Sequence, residues 1–294
     1  MQAVQKAYVK MHIAVVLFGF TAILGDLIEL NALTLVWWRM LFTTLSLFFL
    51  AKWSRMIKTI DRRLLLRLLM NGAIIALHWL CFYASIKLAN ASVALVCLAS
   101  GALFAAIIEP LLFKTKINKL EIILGLCVIP GMALVVSNLE VSMIWGVFVG
   151  IAAALLSALF AAINKKFVDK AHSFDITFIE LGGGWMFLTL FLPFLFYSQP
   201  ETVFLPSVMD LIYLIVLALL CTTLAFILSL QSLKYLSAFN TTLIVNLEPI
   251  YGIIMAVLIL KEHEQLGPGF YVGVLLIFLT VFSYPILKRR FAKF

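Results

Sequence analysis

Charged residues are scarce in this chain, where Asp, Glu, Lys and Arg together make up only 12% of 294 residues. Hydrophobic residues make up 64%, and the mean hydropathy is +1.13. A soluble domain carries roughly 45–50% apolar and about 25% charged residues, because its core needs far less apolar surface. The composition excludes an ordinary soluble protein and predicts a polytopic membrane protein embedded in a lipid bilayer.

Sequence motifs for catalysis are also missing. There is no H-E-x-x-H, no G-x-S-x-G, no Asp-rich metal motif and no P-loop, which argues against hydrolytic chemistry and direct ATP drive. The four cysteines, Cys81, Cys97, Cys127 and Cys221, lie in apolar runs without C-x-x-C spacing, as small hydrophobic residues do. We therefore expect no metal, no cofactor and no enzymatic activity. The alternative from another class is a membrane-embedded enzyme acting on lipid or isoprenoid substrates.

Long apolar segments follow one another along the whole chain. A spanning helix needs about 20 mostly apolar residues, and the sequence predicts ten such helices with no soluble domain between them. The predicted spans are residues 10–29, 33–52, 66–88, 91–113, 119–138, 143–163, 175–197, 209–233, 238–260 and 268–288. The predicted fold class is therefore an all-α polytopic membrane protein with ten transmembrane helices.

Basic residues concentrate in the junctions after predicted spans 2, 4 and 6 and at the C-terminus. They are Lys52, Arg55, Lys58, Arg62, Arg63, Arg67, Lys114, Lys116, Lys119, Lys165, Lys166, Lys170, Lys288, Arg289, Arg290 and Lys293. Because cytoplasmic loops carry an excess of Lys and Arg, we expect both termini in the cytoplasm and the chain in the cell (inner) membrane. This bias accounts for the net charge of +8, so we expect no nucleic-acid partner.

The two halves of the chain share a weak internal similarity. Residues 85–114 align with residues 232–261 at a constant offset of 147, half the chain length. A duplicated hydrophobic unit is typical of secondary transporters, whose site lies at the repeat interface. Because each half holds five predicted spans, an odd number, the second repeat must be inverted in the membrane relative to the first. We predict one repeat over residues 1–139 (helices 1–5) and another over residues 140–294 (helices 6–10).

The second repeat carries a recognisable motif. It contains Leu247-Glu248-Pro249, an apolar run, Leu260-Lys261-Glu262, then Gly267 and Gly273, while the first repeat has Ser100-Gly101 at the corresponding place. This pattern resembles the EamA-type repeat of the drug/metabolite transporter superfamily. The resemblance implies a ten-helix transporter of small organic solutes, often an exporter of amino acids or related metabolites. It also implies helices 5 and 10 at the periphery and a cavity among the others.

Glu248 is a charged residue near the middle of predicted span 9, where an isolated charge is costly. Pro249 deprives the carbonyl of Val245 of its intrahelical donor. Both features favour placement against a cavity, as a substrate or proton contact; the alternative is a structural helix break with Glu248 bonded to its neighbours. Ser100 and Gly101 weaken span 4 at the matching position, and paired interruptions of this kind indicate a site near the midplane.

His78 lies at the middle of predicted span 3, close to Trp79, Phe82 and Tyr83. Histidine changes charge near neutral pH, so it can bind a polar substrate or carry a proton. The alternative is a histidine that donates to a backbone carbonyl while the aromatic rings fill space. The predicted substrate-binding residues are His78, Trp79, Phe82, Tyr83, Ser100, Asn246 and Glu248.

Arg39 lies one to two turns inside span 2 from the outer face. We expect it to meet Asp26 or Glu29 at the outer mouth, as a gate or as a clamp on a substrate carboxylate; snorkelling to the headgroups is the alternative. Glu180 occupies the related position of span 7. Because inversion places it near the inner face, it is not expected to pair with Arg39, although both belong to the predicted gating or ion-pair set.

Consecutive glycines at 182, 183 and 184 weaken predicted span 7, since each costs about 1 kcal/mol in a helix relative to alanine. The predicted hinge residues are Gly101, Gly182, Gly183 and Pro249.

Together these patterns predict a secondary transporter that is not driven by ATP, and the resemblance implies that it exports amino acids or related solutes. It would work by alternating access around a central cavity, as a monomer or a homodimer. Protons are the candidate coupling ion.

Overall fold

The chain is described by a computed structural model over residues 2–51, 53–198, 200–236, 244–245, 247–264 and 266–291. Within these ranges the regular structure is helical throughout, as the composition predicts. The predicted substrate contact Asn246 lies outside the described residues.

The described residues of the first half form seven α-helices. They are α1 (Gln2–Leu27), α2 (Ala32–Leu50), α3 (Trp53–Thr59), α4 (Arg62–Leu88), α5 (Ala91–Leu98), α6 (Gly101–Phe113) and α7 (Lys119–Ser137).

The second half opens with a short 3₁₀ turn at Val141–Met143. Its α-helices are α8 (Ile144–Phe167), α9 (Ser173–Thr189), α10 (Leu192–Ser198), α11 (Val208–Ala218), α12 (Ala225–Leu233), α13 (Glu248–Met255) and α14 (Pro268–Phe291). A π-helical segment, Leu219–Leu224, joins α11 to α12, and a second one, Ala256–Leu260, extends α13.

Short polar side chains begin several of these helices because their oxygen atoms accept hydrogen bonds from otherwise unpaired backbone amides. The capping acceptors are Asn31 for α2, Asp61 for α4, Asn90 for α5, Asn118 for α7 and Ser207 for α11. Ser207 and Asp210 form a reciprocal capping box. The polar junctions between apolar runs therefore set where each helix starts.

In the described part of the chain, eight helical stretches are long and apolar enough to cross a membrane. They are Ala3–Leu27, Ala32–Leu50, Arg62–Leu88, Ala91–Phe113, Lys119–Ser137, Val141–Phe167, Ser173–Ser198 and Val208–Leu233. Predicted spans 1 to 8 overlap these stretches, which confirms a multi-pass helical membrane protein. Predicted spans 9 and 10 coincide with two shorter apolar helices, Glu248–Leu260 and Pro268–Thr280, so the total of ten stays a prediction.

Helices from the two halves pack against each other in reciprocal pairs. Helix α1 packs on α12 and α13, and α8 packs on α4, α5 and α6. Helix α2 contacts α9, and α7 contacts α14. If each helix is replaced by its counterpart in the other half, every contact of this set becomes another contact of the set or remains the same contact. A duplicated unit produces this pattern.

The ends of predicted spans 4 and 9 also match in backbone conformation. Among the described residues other than glycine, positive φ angles occur at Lys114 (φ 55°) and Lys261 (φ 56°). Each lysine ends its span in the left-handed region that often terminates helices. These two residues correspond at the offset of 147, so the similarity between the halves extends from sequence to local geometry.

Candidate functional site

A cavity of about 280 Å³ lies between α1, α2, α4, α5, α6, α8, α12 and α13. Its lining residues are Met11, Phe18, Thr21, Arg39, His78, Trp79, Phe82, Leu98, Gly101, Ala102, Ala105, Glu109, Ser157, Ala158, Phe160, Ala161, Asn164, Lys165, Phe226, Ser229, Leu230, Leu233, Val245 and Glu248. Most of the wall is apolar, with a few polar groups that converge on one space. Binding sites for small organic molecules have this character.

Of the described residues predicted to bind substrate, His78, Trp79, Phe82 and Glu248 line this cavity, whereas Tyr83 and Ser100 do not. Trp79 and Phe82 contribute ring surface to the wall. The rings of Phe226 and Trp79 pack edge to face, with their centroids 5.7 Å apart. Tyr83 is fully buried behind the wall. Ser100 donates its hydroxyl hydrogen to the carbonyl of Cys97 at 2.7 Å. The predicted substrate contacts of these residues stay predictions.

Arg39 is the most fully buried cation of the site, with 1% of its surface exposed. Its Nε donates to Thr222 Oγ1 at 2.8 Å, and its Nη1 donates to Tyr83 Oη at 2.6 Å. The guanidinium carbon lies 3.8 Å from the centre of the Trp79 ring, a cation–π contact. Among the described residues no carboxylate lies within ion-pair distance of this guanidinium. The site therefore holds a cation that hydroxyl and aromatic groups position but do not neutralise.

The expected meeting of Arg39 with Asp26 or Glu29 at the outer mouth is not formed in this structure. The buried face of α2 turns Arg39 towards α4 and towards the π-helical segment that presents Thr222. The acidic region near Asp26 is occupied instead by Lys87, whose Nζ donates to the carbonyl oxygens of Asp26 and Ile28. Burial of Arg39 also removes snorkelling as its explanation.

Thr222 is a site residue that sequence reasoning missed. It belongs to the π-helical segment, and its hydroxyl donates to the carbonyl of Leu217, five residues earlier, at 2.8 Å. The same oxygen accepts from Arg39. π-Helical turns inside α-helices frequently occur at functional sites. The only signal in the sequence was a polar Thr222-Thr223 pair within an otherwise apolar run.

Glu248 faces the same cavity as Arg39, from the first turn of α13. Its side chain is partly accessible from the cavity, and no hydrogen bond to it is seen from the described residues. A carboxylate is favoured at a helix N-terminus, where backbone amides carry partial positive charge. The geometry therefore fits a cavity-facing carboxylate better than a group bonded to its neighbours.

Both predicted helix interruptions are present, at matching positions. In the first half, the amide of Ser100 bonds to the carbonyl of Cys97 at 3.1 Å, three residues back, and α6 begins at the next residue. In the second half, the amide of Leu247 bonds to the carbonyl of Ile244 at 3.0 Å before α13 begins. Such i→i−3 bonds tighten the helix locally. The two breaks correspond at the offset of 147 and adjoin the cavity.

His78 is held in one orientation by the backbone of α8. Its Nδ1 lies 2.8 Å from the carbonyl oxygen of Ala153. Because a carbonyl only accepts, Nδ1 carries the hydrogen of this bond. The ring packs against Phe160 at a centroid distance of 5.3 Å. The structure thus contains the backbone bond proposed as the alternative role, in a side chain that also lines the cavity.

An ion pair marks one end of the cavity. Lys165 Nζ lies 2.8 Å from Glu109 Oε2, and both side chains are more than one third exposed. In the sequence, the basic residue nearest to Glu109 is Lys114, five positions later. Lys114 instead ends α6 in a left-handed conformation, and the neighbouring helix α8 brings Lys165 into range.

The opposite end of the bundle is closed by polar contacts between loops and helix ends. The amide of Glu29 donates to Asp210 Oδ1 at 2.9 Å. Glu262 accepts from the amides of Ala91 and Ser92 at 2.8 and 3.0 Å, at the start of α5. Burial raises the pKa of the Glu262 carboxyl, while these two amides act in the opposite direction. The Asp210 and Glu262 contacts tie the first half to the second on this side, whereas Lys87 joins the end of α4 to the end of α1 within the first half.

Glu180 lies in α9, outside the cavity wall, and is fully buried. Asn71 Nδ2 donates to Glu180 Oε1 at 2.8 Å and to Asn164 Oδ1 at 3.2 Å. Glu180 therefore contacts amide groups rather than Arg39, in agreement with the inverted arrangement.

The three consecutive glycines do not interrupt α9. A Cβ atom on Gly183 would lie 3.1 Å from Leu69 Cα, and one on Gly184 would lie 2.6 Å from the Gly72 carbonyl oxygen. Gly182 has more space, with Thr44 Cγ2 at 3.4 Å. Two of these glycines permit close packing of α9 on α4, and the hinge role assigned to Gly182 and Gly183 stays a prediction.

Comparisons with known proteins find similar sequences and a similar fold. The model of the EamA-like transporter family matches residues 5–137 and again residues 144–284. An uncharacterized transporter, YxxF of Bacillus subtilis (strain 168), is 24% identical over 255 residues, covering 85% of this chain and 80% of that protein. A solved structure titled "Crystal structure of protein" aligns with a TM-score of 0.68 and 12% identity, covering 98% of this chain and 99% of the other. That last likeness supports the fold alone.

Proposed function

Because this chain belongs to the EamA-like transporter family, we propose that it is a secondary transporter that exports amino acids or related zwitterionic solutes by alternating access. Family membership makes it a membrane transporter and points away from an enzyme. The single observation that supports the substrate class is the presence of Arg39 and Glu248, opposite charges, in the wall of one largely aromatic cavity.

The cation suits a substrate carboxylate. Arginine offers five N–H donors in a planar fork that matches a carboxylate. Two of these donors are used by Thr222 and Tyr83, so the guanidinium is positioned while donors remain for a ligand. An unneutralised buried cation is costly, and an anionic group entering the cavity offsets this cost.

The remaining wall suits the rest of an amino acid. Glu248 provides a carboxylate for an ammonium group, since it faces the cavity without a described donor. Trp79, Phe82, Phe18 and Phe226 provide apolar surface for a side chain. The solute would lie with its charged groups between Arg39 and Glu248 and its side chain against the rings.

Alternating access is supported by the asymmetry between the two ends. The cavity extends to the partly exposed Glu109–Lys165 pair, while Lys87, Asp210 and Glu262 hold the opposite end together. By the distribution of basic residues, the Glu109 end is cytoplasmic and both termini lie in the cytoplasm of the cell (inner) membrane. This conformation then corresponds to the state in which an exporter loads its solute. Rocking of the paired halves, with bending at the matched breaks, would expose the site on the other side.

Thermal unfolding of the purified protein with a panel of solutes tests the substrate class, because a ligand that binds only the folded state raises its stability. Phenylalanine should raise the melting temperature. Phenylalaninamide, which lacks the carboxylate, and N-acetylphenylalanine, which lacks the ammonium, should each raise it less. Glucose is the uncharged control and should have no effect. Equal shifts with all four compounds, or a shift with glucose alone, would contradict the proposal.

A further inference from the structure

A second buried polar group lies beside the substrate cavity and takes no part in binding as described so far. It consists of Glu180 on α9, Asn164 on α8 and Asn71 on α4, and is called the Glu180 cluster below. Glu180 is 0% exposed and Asn71 is 1% exposed. Asn164 lines the cavity, so the cluster adjoins it. Asn71 belongs to the first half of the chain, whereas Glu180 and Asn164 belong to the second.

Two acceptor oxygens of the Glu180 cluster have no hydrogen-bond donor in this structure. The side-chain amide of Asn71 directs its hydrogens at Glu180 Oε1 and Asn164 Oδ1. Two buried oxygens, Glu180 Oε2 and Asn71 Oδ1, are left without a partner. Buried polar atoms are almost always paired, because leaving one unpaired carries its full desolvation penalty. A proton on Oε2 supplies a donor beside the unpaired amide oxygen, in the manner of an amide–carboxylic acid pair.

No cation in the described part of the chain is placed to balance a negative charge on Glu180. The charged and titratable groups on the packed elements are engaged elsewhere or exposed. Arg39 on α2 contacts Thr222 and Tyr83, His78 on α4 contacts Ala153, and Lys87 contacts backbone carbonyls. Arg62, Arg63 and Arg67 on α4, and Lys234 after α12, are exposed. Lys165 on α8 is paired with Glu109, and on α9 itself Asp175 is paired with Arg55.

A metal cation does not fit this arrangement. Ions such as Ca²⁺ and Mg²⁺ take six or more oxygen ligands. Here Glu180 Oε1 and Asn164 Oδ1 already accept from an N–H group, which leaves two oxygens. Two oxygens are sufficient to share one proton, since one carries it and the other accepts the hydrogen bond.

We propose that Glu180 carries the coupling proton of this transporter, held against Asn71 when α9 packs on α4. This proposal rests on the proposed function, since it names the ion whose movement drives the same transport reaction. The proton stays on the carboxyl while the two halves are in contact. When α9 moves away from α4 and the carboxyl meets water on the cytoplasmic side, the proton leaves to that water, so each cycle carries a proton inward as the solute moves outward. The charged form then no longer pairs with Asn71. Proton release and the change of access are then one event.

The first test needs no substrate. Infrared spectra of the purified protein at neutral pH should contain a carboxylic acid C=O band that is lost in Glu180→Gln. The glutamine is a neutral isostere of the protonated acid. If that variant is not recovered folded, Asn71→Ala must shift the same band, because the acid then loses its amide partner. A wild-type spectrum without such a band, or a band unchanged in both variants, overturns the proposal.

The second test uses proteoliposomes and phenylalanine as the probe. Wild type should exchange phenylalanine at equal pH and accumulate it when a pH gradient is imposed. Glu180→Gln should retain exchange and lose accumulation, whereas the matched control Glu140→Gln, at an exposed position outside the site, should retain both. Accumulation that persists in Glu180→Gln, or that follows a Na⁺ gradient instead, overturns the proton assignment. If wild type does not exchange phenylalanine while the infrared band is present, the proposed function fails and the proton site stands.

Discussion

Replacing Arg39 with glutamine should weaken binding of zwitterionic solutes while leaving the protein folded. The guanidinium has no described carboxylate within ion-pair distance, so its removal breaks no direct ion pair, although Glu248 in the same cavity loses an opposite charge. Thr222 keeps its own bond to the Leu217 carbonyl, and Tyr83 loses one donor. Removal of an uncompensated buried cation offsets that loss, and we expect a change in unfolding free energy within about 1 kcal/mol.

The effect on binding follows from the lost contact with the substrate carboxylate. A hydrogen bond to a charged group contributes about 1.5–3 kcal/mol, which corresponds to a roughly 10- to 150-fold higher Kd for phenylalanine. Phenylalaninamide, which has no carboxylate, should bind wild type and Arg39→Gln with similar Kd. Arg39→Lys should fall between, because lysine keeps the charge without the planar fork over Trp79.

Calorimetric titration of wild type, both Arg39 variants and the exposed control Arg63→Gln measures these constants. The reasoning is refuted if Arg39→Gln binds phenylalanine as wild type does. It is also refuted if the variant loses affinity for phenylalaninamide to the same degree, since the effect would then not depend on the carboxylate.

Four further substitutions have definite expected outcomes. Glu248→Gln should weaken binding of phenylalanine but not of N-acetylphenylalanine, which has no ammonium group for Glu248 to hold; competition binding assays measure both. Gly184→Ala should destabilise the fold by about 1–3 kcal/mol, because its Cβ would meet the Gly72 carbonyl, whereas Gly182→Ala should be tolerated in thermal unfolding. If Gly182→Ala nevertheless abolishes flux, the hinge prediction gains support over packing. Glu262→Ala should cost about 1–3 kcal/mol, since two buried amides at the start of α5 lose their acceptor; an unchanged melting temperature would contradict this capping role.

The membrane fold was predictable from sequence because hydrophobic run length maps directly onto span length. The starts of α2, α4 and α5 follow Asn31, Asp61 and Asn90, polar residues that stand out between apolar runs. The paired breaks were predictable as well, since Pro249 and Gly101 carry backbone effects that do not depend on tertiary context.

The partners of buried polar groups were not predictable in the same way. The direction in which Arg39 points depends on the rotation of α2 about its axis. It also depends on the π-helical segment, which changes the side of the helix on which Thr222 lies. A π-helical turn contains more residues than an α-helical turn, and the apolar sequence around Thr222 does not indicate where such a turn occurs. Asn71 was visible only as an isolated polar residue, and its pairing with Glu180 joins helices from different halves of the chain. Long-range helix packing decides such contacts.

Counterflow of phenylalanine in proteoliposomes containing the purified protein tests the central claim most directly, namely that the cavity between Arg39 and Glu248 carries zwitterionic solutes across the membrane. Vesicles loaded with unlabelled phenylalanine should take up labelled phenylalanine faster than empty vesicles, and Arg39→Gln should reduce that uptake. Labelled glucose should not exchange. Uptake equal to that of protein-free vesicles, or undiminished uptake in Arg39→Gln, would contradict the account.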